Sequence, residues 1–189
     1  MNNTMDKTIV NPISGEKVTF ISTSAETNGL KSVIEIELQP KAEGPPPHYH
    51  KAYSETFRIL EGEISLQIGN EYKTAKEGDT YSVSKSQLHT FKNESSLPAR
   101  IEVTLTPGHE GFENAISILF GLSKDGLVSK NGLPKKIINL AIINNLSDSH
   151  FTGVFSFVSY ILNLVTNNKK MKTTQNGLIA KYCKISKKQ

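Results

Sequence analysis

Short runs of alternating apolar and polar residues, separated by turn residues, fill the first hundred positions of the chain. In residues 32–38, Ile34, Ile36 and Leu38 alternate with Val33 and two glutamates, a pattern typical of a strand with one buried face. About eight to ten such strands, with turn residues every eight to twelve positions, predict a β-barrel or β-sandwich. Barrel closure would also remove the unpaired edges of strands this short. The predicted strands are residues 8–10, 17–22, 32–38, 63–68, 71–74, 80–83, 89–91 and 99–106.

One stretch, residues 44–62, contains three potential metal ligands behind a rigid lead. Three consecutive prolines, residues 45–47, disfavour helix and keep the approach to the first ligand extended. His48 and His50 are two positions apart, so on a strand both imidazoles leave the same face. Glu55 has an odd number, so on a continuous strand its side chain would point away from the two even-numbered histidines. The residues between must therefore include a turn or bulge, after which Glu55 begins the apolar face of a new strand. The stretch therefore predicts a chelate carried by strands.

A second stretch, residues 78–93, supplies a fourth candidate ligand, His89. Together the two stretches resemble the cupin family, whose motifs read HxHx4Ex6G and Gx5PxGx2Hx3N. Two motifs in the right order are more specific than either alone, and the resemblance extends over residues 8–107. The positions in register are His48, His50, Glu55, Gly62, Gly78, His89 and Asn93.

The chain departs from these motifs at three positions, all in turns. Ala42 stands where the family has an early glycine, although Gly44 is nearby. Ser84 replaces the proline of the second motif, and Ser86 replaces its glycine. No ligand position is lost.

The resemblance implies a small antiparallel β-barrel, the double-stranded β-helix or jelly roll, with a metal held by His48, His50, Glu55 and His89. It implies one divalent transition-metal ion per chain. Three imidazoles and a carboxylate suit iron, manganese, nickel, copper, cobalt or zinc and do not choose between them. Four protein ligands leave one or two positions open, and Glu55 is also a candidate general base. The resemblance does not imply a reaction, since cupins include enzymes, regulators and storage proteins.

The hydrophobic period changes after the last predicted strand, which divides the chain into three parts. Residues 1–107 are the predicted barrel, residues 108–168 a helical extension and residues 169–189 a lysine-rich tail. The first helix is expected to begin at Pro107 and to stop at Gly121.

Two further helices are expected after Pro134 and over residues 151–165. Both are apolar around more than half of their circumference, so each needs cover on two sides. The barrel wall can cover only one side of each helix. We therefore expect a homodimer, in which the second subunit covers the other side and the extension buries surface between subunits.

Charge is distributed unevenly. Residues 1–110 hold 11 Lys+Arg against 15 Asp+Glu, whereas residues 111–189 hold 11 against 3. Much of the excess lies in the tail, which we interpret as a solvated end. The tail has no arginine and a single tyrosine as its only aromatic residue, so a specific nucleic-acid surface is not supported. The lone Cys183 excludes an intramolecular disulfide. With no leader-like start visible, a cytoplasmic location is the expectation.

The other polar and aromatic residues near the motifs are expected to have structural roles and not to bind a metal. His109 and His150 lie outside the motifs and are expected to cap a helix or face solvent. The residues that flank the ligands are candidates for a substrate mouth, but packing is the default for them: Tyr53, Tyr81, Gln87 and Phe91.

Three functions are compatible with the sequence. The first is a metal-dependent enzyme acting on a small organic molecule, either a dioxygenase or an isomerase, with a quercetinase-like dioxygenase favoured. The second is a non-catalytic cupin that binds or senses a small ligand in the same cavity. The third, a protein docked on anionic membranes by its helices and lysines, is least favoured. No serine-protease-type triad, phosphate-binding glycine loop or nucleotide fingerprint is apparent.

Overall fold

The computed structural model describes residues 7–152 and 169–183. The strands are β1 (Thr8–Val10), β2 (Lys17–Ser22), β3 (Ser32–Leu38), β4 (His48–Tyr49), β5 (Ser54–Glu61), β6 (Glu63–Ile68), β7 (Glu71–Lys76), β8 (Thr80–Val83), β9 (His89–Lys92), β10 (Ala99–Thr106) and β11 (His150–Phe151). The helices are α1 (Glu110–Lys124), α2 (Ile137–Leu146) and α3 (Lys169–Tyr182).

The strands form two antiparallel sheets, which confirms the predicted mainly β fold. One sheet has the order β1-β2-β3-β10-β5-β8 and the other β11-β4-β9-β6-β7. The alternating strands turn one face toward a shared apolar core that includes Phe20, Ile34, Phe57, Leu66 and Ile101. No ladder of hydrogen bonds joins the two sheets within the described residues, so the barrel-like fold is not closed.

Gly62 carries the chain from one sheet to the other, between β5 and β6. Its φ of 73° lies in the left-handed region that favours glycine. A Cβ at this position would lie 2.7 Å from the carbonyl oxygen of Pro98. The glycine that ends the first motif is therefore needed for the crossing that brings the two sheets face to face.

Helix α1 begins later and ends later than the sequence predicts. His109 is its N-cap, and the His109 Nδ1 accepts a hydrogen bond from the Phe112 N–H at 3.0 Å, which confirms the capping expectation. Pro107 lies before the helix, and Gly121 lies inside it rather than stopping it. One face of α1, with Phe112, Ile116, Leu119 and Phe120, packs against the core of the β-sheets.

Helix α2 is apolar on most sides, as the sequence predicts. Ala141 and Ile142 are fully buried, whereas Ile137 is 55% exposed. The expected helix over residues 151–165 lies outside the described residues apart from its first two positions. The homodimer therefore stays a prediction. None of the described helices is long and apolar enough to cross a membrane.

Helix α3 corrects the expectation of a solvated lysine tail for residues 169–182. Met171 is 3% exposed, and a small apolar cluster joins α3 to the rest of the extension. The Asp125 carboxylate lies 2.6 Å from the Lys181 ammonium and accepts a hydrogen bond from the Tyr182 hydroxyl at 2.7 Å. The cluster comprises Ile118, Leu122 and Val128 with Leu119, Ile143, Leu146, Leu178, Ile179, Tyr182 and Cys183. The lysines obscured this pattern in the sequence, and two of them, Lys172 and Lys181, are exposed in the structure.

A pair of glycine substitutions tests the docking of α3 on α1. A Cβ at Gly121 would lie 2.2 Å from Tyr182 Cδ1, whereas a Cβ at Gly177 meets nothing within 4 Å. Glycine to alanine inside a helix ordinarily stabilises by about 1 kcal/mol. We expect Gly177→Ala to raise the free energy of unfolding by up to about that amount. Gly121→Ala should instead lower it by about 1–3 kcal/mol through overpacking. Urea denaturation measures both, and equal stabilisation by the two substitutions would contradict the packing.

Candidate metal centre

The four predicted ligands meet between the two sheets. His48 on β4 is the register partner of His89 on β9, so both rings leave the same face of one sheet. His50 follows directly after β4, and Glu55 lies on β5 of the opposite sheet. The chain bends at residues 51–52, between His50 and Glu55, which confirms the turn that the sequence requires.

The side chains form a compact buried group. His48, His50 and His89 each offer a ring nitrogen, and these three atoms lie within 4.8 Å of one another. Glu55 Oε2 lies 2.8 Å from His89 Nε2, and Glu55 Oε1 lies 3.9 Å from His50 Nε2. All four residues are at most 7% exposed. The structure thus brings together every residue of the predicted ligand set.

Main-chain carbonyls fix the orientation of all three imidazoles. The Nδ1 of His48 lies 2.8 Å from the Pro46 oxygen, that of His50 lies 3.0 Å from the Asp148 oxygen, and that of His89 lies 3.0 Å from the Gln87 oxygen. A carbonyl oxygen can only accept, so each Nδ1 carries the proton and donates it. In its neutral form, each ring then presents the lone pair of its Nε2, which is how an outer partner orients a metal-binding histidine.

The Nε2 atoms are suited to a metal rather than to a protein partner. Those of His50 and His89 are buried and have no hydrogen-bond partner in the described part of the chain. The 2.8 Å approach of Glu55 to His89 lacks the alignment of an N–H···O bond. Buried polar atoms are rarely left in this condition, because each costs about 1–3 kcal/mol. The donor set therefore fits a divalent transition metal.

Burial and mutual contact shift the pKa values of the group in different directions. Burial, followed by the neighbouring His89 and His50, lowers the pKa of His48 to about 3. Burial also lowers the pKa of His50. Burial acts the same way on His89, but the adjacent Glu55 outweighs it and raises the pKa. For Glu55, burial opposes ionisation, yet the contact with His89 and the other imidazoles prevails and lowers the pKa.

The residues that flank the ligands serve mainly in packing and support. Tyr53 is buried, and its ring stacks on that of His50 with centroids 4.4 Å apart. The Tyr53 hydroxyl donates to the Ser147 carbonyl oxygen at 2.8 Å. Phe91 belongs to the core, Tyr81 packs against that core, and Gln87 contributes its carbonyl oxygen to His89.

The departures from the family motifs preserve the turns that hold the ligands. Ser86 adopts the left-handed conformation, with φ 62°, that a glycine would favour. Its N–H donates to the His50 carbonyl oxygen at 2.7 Å, so the turn still joins the two motifs. Gly44 rather than residue 42 makes the close approach, because a Cβ there would lie 1.6 Å from the Phe91 carbonyl oxygen.

Sequence reasoning missed the contribution of Ser147 and Asp148, which follow α2. Both reach the turn of the first motif from almost a hundred residues away. The only available signal was that Asp148 is one of three acidic residues among positions 111–189. His150, expected to cap or face solvent, instead pairs with Asp148 at 3.0 Å and lies on β11 beside β4.

Comparison with known proteins places this domain in a family. Residues 34–106 match the family model described as the cupin domain. With the two facing sheets and the histidine cluster already described, this part of the chain belongs to the cupin family.

Individual relatives are distant. An uncharacterized protein of Aquifex aeolicus is 34% identical over 34% of this chain and 53% of its own length. A probable oxidoreductase, patJ, of Aspergillus clavatus is 26% identical over 55% of this chain and 33% of its own length. Among solved structures, an RmlC-like cupin from Shewanella frigidimarina is 22% identical, with a TM-score of 0.47 over 55% of this chain and 86% of that one. The chain spans about a third to three fifths of the curated relatives that it matches.

Metal content tests the ligand assignment. We expect about one transition-metal ion per purified chain. His50→Ala and His89→Ala should each lower occupancy by at least about tenfold, because each removes a direct donor. His109→Asn is the matched control, since it removes an imidazole but keeps a good helix cap. Mass spectrometry of the metals measures occupancy, and equal content in all four proteins would refute the assignment.

Proton titration of the metal-free protein tests the electrostatics of the group. With a pKa of about 3 in the fold, His48 should stay neutral from pH 8 down to about pH 5. His89 should titrate above the ordinary value of about 6.5. Because the folded protein disfavours protonation of His48, the free energy of unfolding should fall as the pH drops below about 6.5. The stabilising contribution of His89 has the opposite dependence: it is complete below about pH 6.5 and is lost as the pH rises through the raised pKa of His89. NMR of the imidazole protons measures this, and a His48 titration near 6.5 would contradict it.

Proposed function

We propose that this chain is a metal-dependent enzyme that acts on a small organic molecule, with a quercetinase-like dioxygenase as the favoured activity. One observation supports the proposal: three buried imidazoles offer ring nitrogens within 4.8 Å of one another, beside the Glu55 carboxylate, and the Nε2 atoms of His50 and His89 have no hydrogen-bond partner among the described residues. Buried polar atoms without hydrogen-bond partners are unfavourable, so a group that keeps them is typical of a site that binds and uses a metal ion.

The residues divide the expected work between them. His48, His50 and His89 would hold the ion, with Glu55 as a fourth ligand or as a base. When bound, the ion supplies Lewis-acid activation of the substrate and, for a redox-active metal, electron transfer. The burial of all four side chains keeps bulk water away from the reacting groups.

Glu55 is the best candidate for proton transfer. Its lowered pKa keeps it ionised at neutral pH, so it can take a proton from a substrate hydroxyl. Tyr53 is unsuited to this role, because burial raises its pKa well above the ordinary value and its hydroxyl already donates to Ser147. The Aspergillus relative's description as a probable oxidoreductase agrees with oxidative chemistry, although this chain spans a third of that protein.

Oxygen uptake with a panel of flavonols and related enediols tests the activity. We expect the metal-loaded protein to consume dioxygen with at least one member of the panel. Glu55→Gln should keep most of its metal, because three imidazoles remain, yet lose about 10²-fold or more in turnover as expected for a general base. His89→Ala is the control that lacks metal.

The outcomes separate catalysis from binding. Dioxygen uptake that disappears in His89→Ala supports the enzyme. A thermal shift on adding a panel member, without any uptake, would replace it with the non-catalytic binding protein.

A further inference from the structure

His50 differs from the other two histidines in where its outer hydrogen bond comes from. His48 and His89 donate to the carbonyl oxygens of residues only two positions earlier, so the segments that lead into their own strands orient them. His50 donates instead to Asp148, 98 residues later and in the helical extension. The orientation of one predicted ligand therefore depends on a segment outside the cupin motifs.

The Asp148 side chain holds the turn that follows His50. Its Oδ2 accepts hydrogen bonds from the backbone N–H groups of Lys51 and Ala52, each at 2.6 Å. Its Oδ1 lies 3.0 Å from His150 Nε2. One aspartate thus contacts three consecutive residues of the first motif, with its main chain on the imidazole and its carboxylate on the next two amides.

Two further contacts tie the same segment to the site. The Tyr53 hydroxyl lies 2.9 Å from His50 Nδ1 and donates to the Ser147 carbonyl oxygen, so it bridges the ring to the extension. Strand β11 then pairs with β4, setting Phe151 opposite His48. Residues in the range 147–151 therefore contact the segment 48–53, which contains two of the ligands, His48 and His50.

Backbone geometry also favours aspartate at this position. Asp148 has a φ of 50°, in the left-handed region that aspartate, asparagine and glycine tolerate best. The unusual conformation directs both its carbonyl oxygen and its carboxylate at the first motif. Strain of this kind persists where the surrounding contacts compensate for it.

We propose that Asp148 is a positioning residue for His50, so that the helical extension forms part of the metal centre rather than an appendage to the barrel. This inference rests on the metal binding proposed above. Metal affinity and docking of residues 147–151 on the first motif are then coupled, and each strengthens the other.

Two substitutions at Asp148 separate its contributions. Asp148→Gly keeps the carbonyl oxygen and tolerates the left-handed backbone, but removes the carboxylate. Asp148→Asn keeps an acceptor oxygen for the two amides and removes the charge. Asp125→Asn is the matched control, since Asp125 is the extension's other acid with an ion pair but contacts α3 instead of the first motif.

The probe is Co²⁺ alone, titrated into the full-length metal-free protein against a chromophoric chelator. We expect Asp148→Gly to weaken Co²⁺ binding by about tenfold or more, as removal of an outer partner of a metal ligand typically does. Asp148→Asn should recover a large part of that loss, and Asp125→Asn should bind like the wild type. The visible absorption of bound Co²⁺ should change only in the Asp148 variants, because a merely structural role would leave it unaltered.

Amide hydrogen exchange supplies a measurement that does not need metal. In the metal-free wild type, the Lys51 and Ala52 amides should be protected, and Asp148→Gly should remove that protection while protection in β3 and β10 persists. Wild-type Co²⁺ affinity and unchanged absorption in a folded Asp148→Gly would overturn the inference and leave the proposed metal function intact. Failure of the wild type itself to bind Co²⁺ or another divalent transition metal would overturn both.

Discussion

The hydrogen bonds between three histidine Nδ1 atoms and three main-chain carbonyl oxygens are the constraint on which the site depends. Because a carbonyl can only accept, each bond fixes the proton on Nδ1 and leaves Nε2 as a donor atom for an ion. Without these bonds, the imidazoles could rotate or exchange tautomers, and their convergence would be lost. The buried Nε2 atoms of His50 and His89 are the cost that the fold sustains for this arrangement.

The facing sheets make that convergence possible. His48 and His89 are opposed across β4 and β9, whereas Glu55 approaches from the other sheet. Gly62 permits the chain to cross directly from β5 into β6. The extension contributes in a different way: α1 packs against the core of the sheets, while the segment after α2 supports His50. The same helices that look accessory by sequence thus complete the environment of one ligand.

Local patterns explain why most of the fold could be predicted. Period-two alternation located the strands, because a strand with one buried face requires it. Motif spacing located the four side chains, and parity required the bend at residues 51–52. The helix ends were predicted less accurately. Glycine often ends a helix, but Gly121 lies inside α1, where the absence of a Cβ makes room for the ring of Tyr182. The helix over residues 169–182 was missed because its lysines dominate the composition while its apolar residues face α1 and α2.

By itself, the sequence determined the mainly β fold and the identity of the clustered residues His48, His50, Glu55 and His89, since both follow from spacing along short segments. Only the tertiary structure decided how these residues are held. The carbonyl that orients His50 and the carboxylate that binds the next two amides come from Asp148, 98 residues further along the chain. Such a contact produces no repeating pattern in the sequence, because it depends on where a helix ends in space and not on residues that are neighbours along the chain.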